Sequence, residues 1–98
     1  EDNHRFLTKH SGVNLEAANY LVDKGVTVVG ADTPTFEVLP SPEHEVHTFL
    51  LVKSGVPIIE CLNLEEWSRD SIYEFVLIAL PLKLKGATAS VIHPIAIA

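Results

Sequence analysis

Apolar side chains recur at two different spacings along this chain, and the spacing changes at glycines. Leu15, Ala18, Leu21 and Val22 follow a helical period. Asn14 stands before them as an N-cap and Gly25 after them as a stop, which predicts a helix over 15–24. The β-branched run "VTVVGAD" (26–32) is too short for a helix and predicts a buried strand. After the loop "TPTFEVLP", Ser41 is expected to cap a second helix with Pro42 at its first position. Val46, Phe49 and Leu50 share one face of that helix, and Gly55 ends it. "VPIIE" (56–60) reads as a second strand and "LNLEEWSRD" as a short helix or turn. "IYEFVLIALPL" reads as a third strand, and "ASVIHPIAIA" contains a fourth. The first dozen residues show no clear period and read as a lead-in loop.

Strand, helix and strand over 26–60 predict a parallel βαβ unit with a right-handed connection, hence an α/β class. That topology places Asp32 and Glu60 at the same carboxyl edge of the sheet. Glu60 stands five residues beyond Gly55, roughly 16 Å up a strand at ~3.3 Å per residue. His47 stands eight residues before the same glycine, roughly 12 Å up a helix at ~1.5 Å per residue. His47, Glu60 and Asp32 can therefore converge where α/β proteins place their ligands. If an ion bridges His47 and Glu60, ring and carboxylate should lie about 4–5 Å apart, given ligand bonds of ~2.0–2.2 Å. Taken alone, a His or a Glu at such an edge is more often a solvated or hydrogen-bonded structural group than a ligand. His44, one turn earlier, is either a third candidate ligand or an exposed first-turn residue. His93, before Pro94, reads as structural.

Composition narrows the chemistry. The chain has 98 residues, 47% hydrophobic and 20% charged, which suits one globular domain or part of one. A net charge of −6 without a Lys/Arg cluster argues against nucleic acid or an anionic membrane as partner. A single cysteine excludes an internal disulfide and suits a reducing, cytoplasmic setting. Cys61 follows Glu60 directly, so strand alternation makes it a buried, inert thiol. The longest apolar run, residues 75–82, is too short to span a bilayer. There is no G-x-S-x-G elbow, Gly-rich phosphate loop or C-x-x-C pair. "GATAS" (86–90) either brings amides and the hydroxyls of Thr88 and Ser90 to a substrate or simply turns the chain. The chain has no methionine and ends in the strand-like "IHPIAIA". Terminal processing would account for both features, as would a fragment of a longer protein.

Three segments together resemble a known family. They are "SGVNLEAANYLVDKGVTVVGADTPT", "HTFLLVKSGVPIIECLNLEEW" and "FVLIALPLKLKGATASVIHPIAI". They resemble, in order, blocks of the cyclase family of kynurenine formamidase-like, metal-dependent hydrolases, which includes isatin hydrolase. The resemblance implies an α/β fold of the swivelling β/β/α type, assembled as homo-oligomers. It implies a divalent metal, zinc or manganese, that activates water against an amide, lactam or formamide carbonyl of a small molecule. It places His47 and Glu60 as late metal ligands or as the catalytic pair that moves protons. The interval between them is thirteen residues, one longer than the family's commonest, which keeps His44 as a second candidate. The family's H-x-G-T-H-x-D motif is absent. Residues 1–98 thus read as the C-terminal half of a single cyclase-like domain. The remaining ligands would come from the N-terminal half or a second polypeptide, which would also cover the apolar last strand. A different reading is a non-catalytic assembly module of the same fold that has lost the metal site.

Overall fold

The computed structural model describes residues 3–98. They fall into two compact units that divide between Leu64 and Glu65. In the first, helix α1 (Asn3–Thr8) occupies part of the stretch expected to be a loop. It buries no residue, so no apolar period marks it. Its closing turn is held by Lys9 N–H donating to the Arg5 carbonyl at 2.7 Å and by the Thr8 hydroxyl donating to the His4 carbonyl at 2.7 Å.

Helix α2 (Leu15–Asp23) forms as its pattern predicts. The Asn14 side chain accepts from Ala17 N–H at 2.9 Å, satisfying one of the otherwise orphaned first-turn donors. Gly25 leaves the helix at φ +79°, a conformation open to glycine at little cost. Ala18 is fully buried on the inner face.

Strand β1 (Val29–Gly30) pairs in parallel with β2 (Ile58–Ile59), in register Val29 with Ile58 and Gly30 with Ile59. The ladders are shorter than the apolar runs that contain them. Hydrogen bonds continue beyond them, from Ala31 N–H to the Ile59 carbonyl and from Leu62 N–H to the Ala31 carbonyl, both 3.0 Å. The connection contains helix α3 (Glu45–His47), which runs into a π-helical segment (Thr48–Lys53). The expected parallel βαβ unit is present, but its helix starts later than Ser41. The Ser41 hydroxyl donates to Glu37 Oε1 at 2.9 Å, so it is not available as a helix cap. His44 takes the N-cap place instead, in the left-handed region at φ +48°.

The π-helical segment lies between His47 and Glu60. Ser54 N–H donates to the Phe49 carbonyl five residues back, at 3.0 Å, and a π turn takes one residue more than an α turn. Val46 and Leu50 stay on the buried face, at 1% and 0% exposure, while His47 keeps its place at the sheet edge. With Ala18, Val29, Phe36 and Val56 they form the core of the first unit.

The second unit contains α4 (Glu65–Arg69) and an antiparallel pair, β3 (Val76–Ile78) with β4 (Ile95–Ile97). Trp67 and Phe75 pack with ring centroids 4.8 Å apart. Within this unit β4 is open, Ile95 and Ile97 being 49% and 54% exposed. Two strands with one short helix leave both faces of such a pair largely uncovered. The chain is thus a small mixed helix–strand structure with one parallel and one antiparallel sheet. Among the described residues no helix is long and apolar enough to cross a membrane.

Candidate active site

Glu37 lies in the loop after β1 and is 1% exposed. Its backbone is fixed by a parallel bridge to Val13: Val13 N–H donates to the Phe36 carbonyl at 2.9 Å, and Val38 N–H to the Val13 carbonyl at 3.1 Å. Gly12 permits the approach, since a Cβ there would lie 2.5 Å from Val38 N and 2.6 Å from the Glu37 carbonyl carbon. The Glu37 carboxylate then meets the start of α3. Its Oε1 accepts from Val46 N–H at 2.8 Å and from the Ser41 hydroxyl at 2.9 Å. Its Oε2 lies 2.8 Å from His47 Nδ1 and 3.6 Å from His44 Nδ1.

The other His47 nitrogen, Nε2, lies 2.9 Å from Glu60 Oε1. That oxygen also accepts from Phe36 N–H at 2.9 Å, which ties the end of β2 to the loop carrying Glu37. A continuous chain results, from buried Glu37 through the His47 ring to Glu60. Its inner end is closed, whereas the His47 and Glu60 side chains are 24% and 30% exposed. Two residues beside this chain, His44 and Cys61, hold left-handed backbone at φ +48° and +58°. Such strain in non-glycine residues gathers at functional sites.

Kynurenine formamidase of Bacillus cereus (strain ATCC 10987 / NRS 248) is 38% identical to this chain over 87 residues. The alignment covers 85% of the chain and 40% of that protein. Kynurenine formamidases of Bacillus anthracis and Bacillus thuringiensis subsp. konkukian are 36% and 35% identical over 87 and 83 residues. The chain belongs to the kynurenine formamidase-like cyclase family. It spans about 40% of the length of these relatives. No family model matches it, and no solved structure gives a significant match.

In this family member His47 and Glu60 meet at the sheet edge, as the chain geometry predicts. They are closer than the about 4–5 Å expected across a bridging ion: Nε2 and Oε1 lie 2.9 Å apart, a hydrogen-bond distance. Asp32 is exposed and takes no part in these bonds. His44 is exposed but stands over Glu37, its ring edge-on to His47 at 6.1 Å. Donor atoms of Glu37, His44 and His47 all lie within 4.8 Å of one another and could hold a metal ion. Imidazole and carboxylate together are donors fit for a divalent metal ion. Cys61 is exposed, against the expectation of a buried thiol. β2 ends at Ile59, so strand alternation no longer governs Cys61. His93 is exposed in the second unit. There the Ser90 hydroxyl accepts from Leu82 N–H at 3.1 Å and faces the Val91 carbonyl at 3.2 Å, as a turn residue would. Glu37 is the residue that sequence reasoning missed. Its only trace was an acid in a loop read as a connection, and no periodicity distinguishes it.

The charges in this chain support one another. Burial pushes the Glu37 carboxyl up, but bonds from Val46 N–H, His47 and Ser41 outweigh it and hold the group below its ordinary 4.5. Burial pushes His47 down, but its bonds to Glu37 and Glu60 outweigh it and raise the ring above its ordinary 6.5. Donating to carboxylates from both nitrogens requires the imidazolium. Stabilisation from His47 is therefore fully present below its ordinary value and lost as pH rises through its raised value. Stabilisation from Glu37 is present above its ordinary value and lost as pH falls through its lowered value. The metal-free protein is expected to be most stable between these two ordinary values, 4.5 and 6.5, and to weaken on both sides. Urea midpoints measured across pH in chelator check this; a midpoint that keeps rising well above the histidine range would contradict it.

Proposed function

We propose that this chain is the C-terminal part of a metal-dependent hydrolase that cleaves a formamide carbonyl, as the names of its relatives suggest. The observation that carries the reading is the His47 ring held between two carboxylates, one buried and one facing solvent. A divalent ion, zinc or manganese, would supply Lewis acidity and acidify a bound water. His47 would be among its holders, with Glu60 on one side of the ring or Glu37 and His44 on the other. Further ligands would come from the N-terminal half or a second polypeptide. Glu60, half-open to solvent, would accept a proton from the attacking water and return it to the departing nitrogen. Apolar strands β3 and β4 would be covered by that N-terminal half or by another copy in a homo-oligomer.

The test is hydrolysis of N-formylkynurenine by the full-length protein carrying this chain. Glu60→Gln keeps the shape and removes the charge. It is expected to lower kcat by about 10²–10⁴-fold, the range for a positioned acid or base. Turnover equal to wild type in that variant would remove Glu60 from the chemistry. Absence of turnover in the wild type on any formamide or amide would favour the non-catalytic assembly module.

A further inference from the structure

Two places for an ion compete at His47, one on each ring nitrogen, and the contacts of Glu37 choose between them. On the Nδ1 side, Glu37 Oε1 is already taken by Val46 N–H and the Ser41 hydroxyl. Its Oε2 lies 2.8 Å from Nδ1, and Glu60 Oε1 lies a similar 2.9 Å from Nε2, so the choice between the sides rests on what else each carboxylate holds and on its exposure. The Glu37 carboxylate is also sealed at 1% exposure. The Nε2 side opens past Glu60, whose side chain is 30% exposed. Glu37 also grips the helix and the ring together, holding the amide of Val46 and the ring of the residue next to it. That double hold fixes the ring's rotation as well as its tautomer.

We propose that Glu37 is the positioning residue of this centre, holding His47 by Nδ1–H and committing Nε2, on the Glu60 side, as the working nitrogen. This rests on the hydrolase reading for what Nε2 does, but the tautomer it requires can be read independently. A carboxylate that receives the second N–H of a metal-bound or proton-carrying histidine sets which nitrogen is free to act. Glu37→Gln makes the dependence visible. The two donors, Val46 N–H and the Ser41 hydroxyl, would claim the new amide's oxygen. Its NH₂ would then sit where Oε2 sits and donate to Nδ1. The ring would flip to the Nε2–H tautomer and lose its free lone pair on the Glu60 side. Glu37→Asp keeps a carboxylate and should keep the native tautomer.

The experiment uses the full-length protein carrying this chain, labelled with ¹⁵N-histidine, at alkaline pH and after loading with zinc. Long-range ¹⁵N–¹H spectra are expected to show His47 as Nδ1–H in the wild type and Glu37→Asp, and as Nε2–H in Glu37→Gln. In steady state, kcat should fall about 10–100-fold in Glu37→Gln with KM nearly unchanged, and Glu37→Asp should recover part of it. Anomalous diffraction at the zinc edge should place an ion on Nε2, with Glu37 still bonded to Nδ1. An ion bonded to Glu37 Oε2, or a wild-type His47 carrying its proton on Nε2, overturns the proposal. If no zinc binds near His47 but the tautomers behave as stated, the metal reading fails and the positioning role of Glu37 stands.

Discussion

His47→Ala is expected to lower hydrolysis by about 10²–10⁴-fold and to destabilise the fold by about 3 kcal/mol, the low end for breaking a buried pair. The low end applies because the ring is about a quarter exposed while its partner Glu37 is sealed. Removing the ring leaves the Glu37 charge with its amide and hydroxyl donors but without its cation. His47→Asn separates the two losses. The asparagine amide can reach the Nδ1 position and still donate to Glu37, but it has nothing at Nε2. Its stability should therefore return to within about 1 kcal/mol of wild type, the net worth of an ordinary hydrogen bond, while activity stays lost. Denaturant melts and turnover of both variants decide this. An Asn variant as unstable as the Ala variant would show that Nδ1 is not the stabilising contact.

Leu50→Ala is expected to cost about 2–5 kcal/mol, because a fully buried side chain leaves both a transfer loss and a cavity. Leu50 lies in the π-helical segment, three residues beyond His47, and Val56 N–H donates to its carbonyl at 2.8 Å. Its side chain holds the segment against the core, next to α2. Against a typical total of about 5–15 kcal/mol, such a loss would leave the first unit only marginally folded. The neighbouring Val52, 78% exposed on the same segment, is the control, and its alanine variant should fall within about 0.5 kcal/mol of wild type. Equal effects at the two positions would mean that the segment does not pack as described.

Features governed by local rules were legible in the sequence. α2 carries its cap, its apolar face and its stop within a dozen residues, and each does what its chemistry suggests. The meeting of His47 and Glu60 was legible for a different reason: a parallel βαβ unit returns the chain to the same sheet edge, and two element lengths fix where side chains arrive. Glu37 was not legible, because its place depends on Gly12 closing against the backbone of 37–38, a contact between distant loops. Ser41 was misread as a cap because the acceptor that captures its hydroxyl, Glu37, could not be foreseen. The late start of α3 follows from that capture. The π turn of Thr48–Lys53 was not legible either, because nothing in the local pattern separates it from an α turn. What covers β3 and β4 was not legible. Their apolar composition reports burial against something, and within their own unit there is too little to bury them.

The most direct measurement is the metal content of the purified full-length protein together with its turnover of N-formylkynurenine, before and after exhaustive chelation. Bound zinc or manganese should leave together with activity, and both should return on adding the ion back to wild type. Adding it back to the His47→Asn variant should restore no activity. Undiminished turnover in protein stripped of metal would contradict a metal-dependent centre at His47.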